Sequence, residues 1–416
     1  TKALLENAEI WHKIQKSKEF GITVGDVTLD FGQVQARKQK VVDANAKGVE
    51  FLFKKNKVER IHGFGRVAGR GQVEVTAEGG EKKTLSTKNI VLATGSVPRD
   101  LPHIQSDGKK IINSDHVLQL DRVPKSMLVI GAGAVGSEFA SIFHSFGTEV
   151  TIVEVMPQML PIEDEEIAKE FTRLFKKRGI NVMTDVKVES CTPTEAGVKT
   201  VVALKNGKTQ EIETELVLSA VGRRPVTENI GLEKTKVRLD RGFVLVDKFM
   251  KTDEPGIWAI GDIVPTPALA HVGSAEGILA VEQMAGLDVR PLNYDHMPNA
   301  TYTDPEVASV GLTEKKAKDK GYEVKVGKFP FTANSKGKII GFSGGMVKYV
   351  TDAKYDEVLG VHIVGPKATE LIAEACVALE LEATAESIMK TVHAHPTLSE
   401  AMMEAAEDVH GHSIHQ

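Results

Sequence analysis

The chain has 416 residues, of which 41% are hydrophobic and 26% charged, and its formal net charge is -5. At about 150 residues per domain, this length predicts about three domains. The near balance of charge excludes a protein that coats nucleic acid or a polybasic membrane binder. Aromatic residues, at 5%, are too few for base-stacking surfaces. No apolar run reaches the ~18 residues of a membrane span.

The first third of the chain is expected to form two helices followed by strands. Apolar spacing predicts amphipathic helices over residues 3–18 and 33–55. The period then changes to two, which predicts a small antiparallel meander that includes one strand from Leu85 to Leu92. The sequence opens at Thr1-Lys2, already in a helical pattern, which leads us to expect a missing upstream segment.

Strand and helix alternate in the middle of the chain. The apolar run 126–130 predicts a buried parallel strand, and the alternation continues to about residue 184. Asn206-Gly207 predicts the turn of a hairpin between strands over 201–204 and 212–218. A mixed region is expected after about residue 296, with strands near 324–330, 346–351 and 357–364 and helices over 367–380 and 397–408.

The strongest motif is the glycine turn between the strand at 126–130 and a helix predicted over about 134–146. Gly131 permits the tight turn, Gly133 lets the backbone approach a pyrophosphate, and Gly136 allows close packing of helix and strand. Glu154 ends the next strand, where a carboxylate accepts hydrogen bonds from a ribose 2′-OH and repels a 2′-phosphate. The pattern favours NAD over NADP; a glycine-rich turn without a ligand is the alternative.

Three other features allow two interpretations each. The strands that end at Thr94-Gly95 and at Gly261-Asp262 are typical of ordinary strand-end turns, or of a second dinucleotide site. His395 with Glu400 is either an acid–base pair or part of a helix cap. The three tail histidines are expected to be solvated rather than to bind metal, and no metal site is predicted: His410, His412 and His415.

Two cysteines, Cys191 and Cys376, lie 185 positions apart, and no CxxC spacing occurs. This excludes a zinc cluster or a local redox disulfide built from them. It fits a reducing compartment rather than a secreted disulfide scaffold.

Together these motifs resemble the pyridine-nucleotide disulfide oxidoreductases, and within them most closely the members that oxidise protein-bound dihydrolipoamide. The resemblance runs over the whole chain. It rests on residues 93–96, 131–138 with Glu154, 221–225, 259–262, 270–277, 302–306, 327–331 and 393–400.

The resemblance implies an α/β fold with two Rossmann-like dinucleotide-binding domains, for FAD and NAD, and a C-terminal α+β dimerisation domain. It implies a partial FAD domain over 1–113, an NAD-binding domain over 114–241, an FAD-domain return segment over 242–295 and an interface domain over 296–416.

It also implies roles for individual residues. Asp262 would hold the ribityl chain of FAD, and Lys2 with Glu138 would form an ion pair beside the flavin N5 edge. His395 would act as the acid–base for the substrate thiol, oriented by Glu400, and would serve the flavin site of the other subunit. The remaining residues expected at the cofactor sites are Thr94, Gly95, Gly222, Gly261, Ala270 and His271.

The implied enzyme oxidises dihydrolipoamide with NAD, through FAD and a redox disulfide. Its implied partners are a second copy of itself and the lipoyl domains of a 2-oxo acid dehydrogenase complex or a glycine cleavage system, with no nucleic acid and no membrane. A bacterial cytoplasm and a mitochondrial matrix both fit.

The sequence departs from the family at its start. The family pattern is Cys-x4-Cys followed by Pro-[Ser/Thr]-Lys, and Thr1-Lys2 matches only the end of that segment. The first flavin-binding βαβ unit is also absent. We therefore expect this chain to hold FAD weakly and not to run the dithiol half-reaction, as a fragment would.

The alternatives are a soluble transhydrogenase and, because the cysteine pair is absent, a non-catalytic dimerisation or docking subunit of a 2-oxo acid dehydrogenase complex. Glu154 disfavours a glutathione reductase-like enzyme, and the absence of a C-terminal cysteine pair disfavours a mercuric reductase-like one.

Overall fold

The structure is a computed structural model that describes residues 1–342 and 344–416. Helices and strands alternate along most of it. The α-helices of the described residues are α1 (Lys2–Gln15), α2 (Phe31–Lys55), α3 (Ser114–Val117), α4 (Ala134–Ser145), α5 (Glu165–Arg178), α6 (Ala270–Met284), α7 (Glu314–Asp319), α8 (Ser335–Ile339), α9 (Ala368–Glu380), α10 (Ala385–Met389) and α11 (Glu400–Asp408).

The strands are mostly short. In the described residues they are β1 (Phe64–Gly69), β2 (Gln72–Thr76), β3 (Lys82–Ser86), β4 (Ile90–Leu92), β5 (Ser96–Pro98), β6 (Ile111–Ile112), β7 (Ser126–Ile130), β8 (Glu149–Val153), β9 (Asn181–Met183), β10 (Lys187–Pro193), β11 (Val198–Ala203), β12 (Thr209–Thr214), β13 (Leu216–Ser219), β14 (Arg223–Pro225), β15 (Leu239–Asp240), β16 (Phe243–Val244), β17 (Ile257–Ala259), β18 (Asn299–Thr301), β19 (Glu306–Gly311), β20 (Val324–Pro330), β21 (Met346–Asp352) and β22 (Val358–Gly365).

The described chain forms two compact units. Unit 1 contains Thr1–Val41, Asp100–Gly222 and Asp295–Gln416, and unit 2 contains Val42–Arg99 and Arg223–Tyr294. The domain boundaries expected near residues 114, 242 and 296 remain predictions. No helix in the described part of the chain combines the length and apolar character needed to cross a membrane.

A five-stranded parallel sheet in unit 1 has the order β6-β13-β7-β8-β9. Met127 to Ile130 in β7 are buried on both faces, which explains their continuous apolar run. Helices α4 and α5 join successive strands of this sheet. The strand order reverses next to β7, and ligands of such sheets bind at the carboxyl ends of the strands at this point.

The hairpin predicted around Asn206-Gly207 is present between β11 and β12, but its second strand ends at Thr214 and does not extend over 212–218 as predicted. The segment 212–218 divides at Glu215: β12 belongs to the antiparallel sheet, whereas β13 pairs in parallel with β7. No turn residue marks the change. The N–H of Glu215 instead donates to the Ser126 hydroxyl, which anchors the crossover between sheets.

The C-terminal part of unit 1 is an antiparallel sheet in the order β18-β19-β22-β21-β20. Buried residues of α9, α10 and α11 pack with this sheet in one hydrophobic cluster. The helix predicted over 397–408 begins only at Glu400, because the Glu400 carboxylate accepts the N–H of Thr397 and holds residues 397–399 as a turn.

Unit 2 contains the meander β1-β2-β3 and a parallel pair, β4 with β17. The strand predicted from Leu85 to Leu92 is wrong as a single element, since β3 ends at Ser86 and β4 begins at Ile90. The N–H of Thr87 donates to the carbonyl of Gly71 and closes the meander, after which the chain turns to pair with β17.

Candidate functional site

The glycine turn after β7 has the geometry that its sequence predicts. Gly131 has φ +99°, and a Cβ there would lie 2.6 Å from the carbonyl oxygen of Ala220. A Cβ at Gly136 would collide with the carbonyl oxygen of Gly131. A Cβ at Gly133, in contrast, would meet no atom of the described chain within 4 Å. The first and third glycines are therefore required by the protein's own packing, and the second leaves open space.

Helix α4 begins beside that open space, with Gly133 as its N-cap and no side chain capping it. The first N–H groups of an α-helix have no partner within the helix, and its dipole is positive at this end. A phosphate group satisfies both conditions. The residues present therefore fit the pyrophosphate of a dinucleotide.

Glu154 follows β8 and is buried next to the same turn. One carboxylate oxygen accepts the N–H of Ala132 at 2.7 Å, and the other accepts the N–H of Met156 at 2.9 Å. Each carboxylate oxygen can accept a second hydrogen bond. Glu154 thus fixes the turn and still has acceptor capacity for a ribose hydroxyl.

Gly222 ends unit 1 three residues beyond β13, with φ +113°.

A second strand-end site lies in unit 2. Because β4 and β17 are parallel, Thr94-Gly95 and Gly261-Asp262 follow their carboxyl ends at the same edge. Ser96 donates its hydroxyl proton to the Asp262 carboxylate, and Arg223 donates to the Ser96 hydroxyl at 2.6 Å. These contacts fix Asp262 as a half-exposed acceptor, which fits the hydroxyls of a ribityl chain.

Helix α6 begins at Ala270 and His271, and its N-cap residue, Leu269, makes no side-chain capping hydrogen bond. Sequence reasoning missed Glu276, which is buried within α6. Its carboxylate accepts the N–H of Gly261 at 2.6 Å and the hydroxyl of Tyr294 at 2.9 Å. Glu276 therefore ties the Gly261-Asp262 turn to the helix.

The Lys2–Glu138 contact expected from the resemblance is present in unit 1. The Nζ atom of Lys2 lies 2.7 and 2.8 Å from the two carboxylate oxygens of Glu138. The Lys2 side chain is 55% exposed, and Glu138 is buried in α4. Tyr302, for which the sequence predicted no role, donates its N–H to Glu138 at 3.0 Å and places its ring 4.4 Å from Nζ.

His395 and Glu400 also lie together, at the start of α11. The Nδ1 atom of His395 is 2.9 Å from the Glu400 carboxylate, and the His395 side chain is 69% exposed. Burial alone would raise the pKa of Glu400, but hydrogen bonds from the Thr397 N–H and from His395 lower it below its usual range. The carboxylate therefore stays ionised and orients the ring, leaving Nε2 as the outward-facing base.

The two cysteines are free and do not resemble nucleophiles. Cys191 lies on β10 near the Thr200 hydroxyl, and Cys376 packs against the C-terminal hydrophobic cluster. Burial raises the pKa of both thiols. Since the thiolate is the reactive form, both are poor candidates for thiol–disulfide exchange at neutral pH.

The tail is exposed at His412 and His415, as expected, but it is also tethered to α11. Glu404 accepts hydrogen bonds from the Ser413 hydroxyl, the Ile414 N–H and the ring of His415. Glu404 is buried, and a buried carboxylate requires hydrogen-bond partners, which the tail residues supply. No group of metal-ligating side chains is present among the described residues.

Comparison with protein families shows which family contains this chain. The profile described as pyridine nucleotide-disulphide oxidoreductase matches residues 1–277, and the profile of that family's dimerisation domain matches residues 297–406. The chain belongs to the pyridine nucleotide-disulphide oxidoreductase family. It is an FAD-dependent oxidoreductase of NAD by family, and its C-terminal part is the family's dimerisation domain.

Individual relatives agree with this assignment. The chain is 44% identical to a dihydrolipoyl dehydrogenase of Zymomonas mobilis, over 100% of the chain and 89% of the relative. It is 43% identical to one of Bacillus subtilis, over 100% and 90%, and 40% identical to a mitochondrial one of Pisum sativum, over 100% and 83%.

A solved structure extends the agreement to three dimensions. The crystal structure of LpdA from Mycobacterium tuberculosis matches 98% of this chain and 88% of its own with a TM-score of 0.90, at 27% identity. The expected fold class, α/β with two dinucleotide-binding domains and a dimerisation domain, is confirmed.

Proposed function

We propose that this protein is a dihydrolipoyl dehydrogenase, which oxidises the dihydrolipoyl group of lipoyl domains and reduces NAD. The observation that carries the proposal is the His395–Glu400 pair, at 2.9 Å, in a chain 44% identical to a named dihydrolipoyl dehydrogenase. An oriented imidazole with a free outward nitrogen suits proton removal from a thiol near neutral pH.

The glycine turn is proposed to bind NAD. The uncapped N-terminus of α4 would hold the pyrophosphate over Gly133. Glu154 would accept hydrogen bonds from the adenosine ribose, and its negative charge disfavours a 2′-phosphate. Unit 1 thus supplies the specificity for NAD over NADP.

The strand-end site of unit 2 is proposed to bind FAD, which when bound takes an electron pair from a dithiol and passes it to NAD as hydride. Asp262, held by Ser96, would accept hydrogen bonds from the ribityl hydroxyls. Thr94, Gly95 and Gly261 would let the cofactor approach the strand ends, and the α6 N-terminus at Ala270 and His271 would lie beside the flavin ring.

Lys2 is proposed to present a positive charge at the flavin edge. Its ammonium is held by both oxygens of Glu138, so its position is set by a group that is itself fixed in α4. A fixed positive charge stabilises negative charge that develops nearby during electron transfer.

In the thiol step, the Nε2 atom of His395 would take a proton from the substrate thiol. Glu400 would stabilise the imidazolium that forms. The family pattern places the redox cysteine pair immediately before the segment matched by Thr1-Lys2, and neither Cys191 nor Cys376 takes that place.

The functional form is proposed to be a homodimer in which His395 serves the partner's flavin site. The exposed aliphatic side chains of the dimerisation domain include Val377 at 60%, Leu381 at 73% and Val392 at 94%. Val377 and Leu381, the C-cap of α9, are four residues apart and therefore share one face of that helix, and Val392 is three residues from His395. The dihydrolipoyl groups of a 2-oxo acid dehydrogenase complex or a glycine cleavage system are the proposed substrates.

Substrate and nucleotide assays on the full-length gene product test the proposal. We expect oxidation of dihydrolipoamide with NAD to be at least about tenfold faster than oxidation of reduced glutathione with NADP, since both Glu154 and the family assignment favour the first pair. NADH oxidation by a dye serves as the control for an intact flavin. A protein that reduces the dye but prefers glutathione, or transfers hydride only between nucleotides, would contradict the proposal.

A further inference from the structure

Arg178, the last residue of α5, is a buried cation that the proposed mechanism does not use. Its side chain is 14% exposed. Its guanidinium donates to the hydroxyls of Ser141 at 3.1 Å and Ser145 at 2.9 Å. It also donates to the backbone carbonyl of Asp304, whose carboxylate lies 3.8 Å away.

These contacts hold a short segment, Tyr302 to Asp304, against α4. The N–H of Asp304 donates to the Ser141 hydroxyl at 3.2 Å, and the N–H of Tyr302 donates to Glu138 at 3.0 Å. Residues three and four apart share one face of a helix. Glu138, Ser141 and Ser145 therefore form one polar row on α4, with the segment lying along it.

At its Glu138 end, this polar row of α4 contacts Lys2 of α1. One carboxylate oxygen of Glu138 accepts both the Tyr302 N–H and the Lys2 ammonium, and the Tyr302 ring covers the same ammonium. The rotamer of Glu138, and with it the position of the ammonium, thus depends on where the Tyr302–Asp304 segment lies. Arg178 binds the far end of this segment, where the ring of His12 also lies 3.9 Å from the Asp304 carboxylate.

We propose that Arg178 is a positioning residue for the Lys2–Glu138 ion pair and acts through residues 302–304. Without the guanidinium, the Asp304 carbonyl loses a partner and the segment moves away from α4. Glu138 then loses the Tyr302 N–H, and Lys2 spends more time unpaired in solvent. The significance for catalysis rests on the proposed function, which places this pair at the flavin edge, but the positioning itself does not.

Amine acetylation read by mass spectrometry tests the positioning in the full-length gene product, without relying on enzyme activity. Pairing with a carboxylate protects an ammonium, so Arg178→Gln is expected to accelerate acetylation of Lys2 by about fivefold, the size expected for the loss of one ordinary hydrogen bond. Lys13, which lies on α1 like Lys2 and pairs with Glu9, is the internal reference, and its acetylation rate should not change. Arg173→Gln is the matched control, because Arg173 lies on α5 like Arg178 but forms an exposed ion pair with Glu170.

Because a buried arginine can be needed for folding, Ser141→Ala provides a second, milder variant. It removes the acceptor of the Asp304 N–H and one partner of Arg178. It is expected to accelerate acetylation of Lys2, but not of Lys13, by a smaller factor than Arg178→Gln. Selective acceleration at Lys2 in both variants supports the proposal. Equal acceleration at Lys2 and Lys13, which indicates general loosening of α1, or no change at Lys2 in either variant overturns it.

The rate at which NADH reduces the bound flavin separates this proposal from the proposed function. Lys2→Met is expected to slow that rate, and Arg178→Gln to slow it partly. An unchanged rate in Lys2→Met would remove the pair from the flavin edge while the acetylation result still stands. A slowed rate in Lys2→Met with no acetylation change in Arg178→Gln would leave the proposed function intact and overturn the role of Arg178.

Discussion

Glu154 has two tasks in one carboxylate: it closes the glycine turn through the N–H groups of Ala132 and Met156, and it is the proposed ribose acceptor. The first task is structural and independent of the nucleotide. Only the second distinguishes NAD from NADP. A substitution at Glu154 must therefore be judged by a comparison of two nucleotides rather than by one affinity.

Replacing Glu154 by alanine should weaken NADH binding by about tenfold relative to NADPH, since the ribose loses a charge-assisted hydrogen bond and the 2′-phosphate loses a repulsive charge. Titration of both nucleotides by fluorescence measures the ratio. A lower melting temperature is expected in addition, from the unpaired Ala132 N–H. Equal weakening for the two nucleotides would leave Glu154 with the structural task alone.

At the residue scale, local pattern predicted the positions of groups close in sequence. His395 and Glu400 are five residues apart, and the glycine turn lies within six residues, so spacing alone brings them together. Arg178 reaches residue 304, a separation of 126 positions, with no periodic pattern to mark it. Such contacts arise from packing of distant elements and cannot be predicted from one sequence without a resemblance.

At the element scale, a buried ion cluster joins α5, α7 and β21. The Lys348 side chain is 1% exposed, and its ammonium lies within 2.9 Å of carboxylates of Asp164, Glu166 and Glu314. Hydrogen bonds from Lys318 and Lys348 lower the pKa of Glu314 to about 2. The cluster therefore fixes the N-terminus of α5, which follows β8, against the C-terminal sheet.

Lys348→Met should destabilise the protein by about 3–5 kcal/mol, because it leaves the buried carboxylate of Asp164 without its cation. Lys328→Met is the matched control: Lys328 pairs with Glu166 at a side chain 41% exposed and should cost less than about 1 kcal/mol. Urea unfolding measures both. Equal costs for the two lysines would show that burial does not strengthen the cluster.

The same comparison has a defined pH dependence. A carboxyl group whose folded pKa is lowered contributes stability above its unfolded pKa, 4.5 for Glu314, and loses it as the pH falls towards about 2. The difference between wild type and Lys348→Met should therefore be largest near neutral pH and shrink between pH 4.5 and 2. A constant difference across this range would contradict the assignment of the cluster.

The predicted element boundaries are wrong where the chain passes from one sheet to another without a turn residue. The run 212–218 is continuously strand-like, yet β12 and β13 lie in different sheets because β13 pairs with β7. Leu85 to Leu92 divides in the same way between β3 and β4. Periodicity reports burial along a segment, but the identity of the pairing partner is a tertiary property.

At the scale of the whole molecule, the proposed homodimer makes each active site depend on two subunits. Gly133 offers a clean way to inactivate one nucleotide site, since a Cβ there meets no atom of the described chain within 4 Å. Gly133→Val should thus fold normally and block only the pyrophosphate. His395→Gln inactivates the thiol step on the other side.

Mixed dimers of a Gly133→Val subunit with a His395→Gln subunit should recover about half of one wild-type dimer's dihydrolipoamide activity, because one of the two composite sites is intact. Differently tagged subunits, co-expressed and purified over both tags, provide the sample. Each homodimer of a single variant is the control and should be inactive. If His395 served its own subunit, the mixed dimer would be inactive as well.

The most direct measurement compares two rates in the full-length gene product carrying His395→Gln: oxidation of dihydrolipoamide by NAD, and oxidation of NADH by a dye. His393→Gln, which alters a neighbouring histidine paired with Glu374, is the control. Loss of a general base should slow the dithiol reaction by about a hundredfold or more, and the dye reaction, which moves no thiol proton, should stay within about twofold of wild type. A parallel fall of both rates, or no fall in either, would contradict the assignment of His395 to the thiol step.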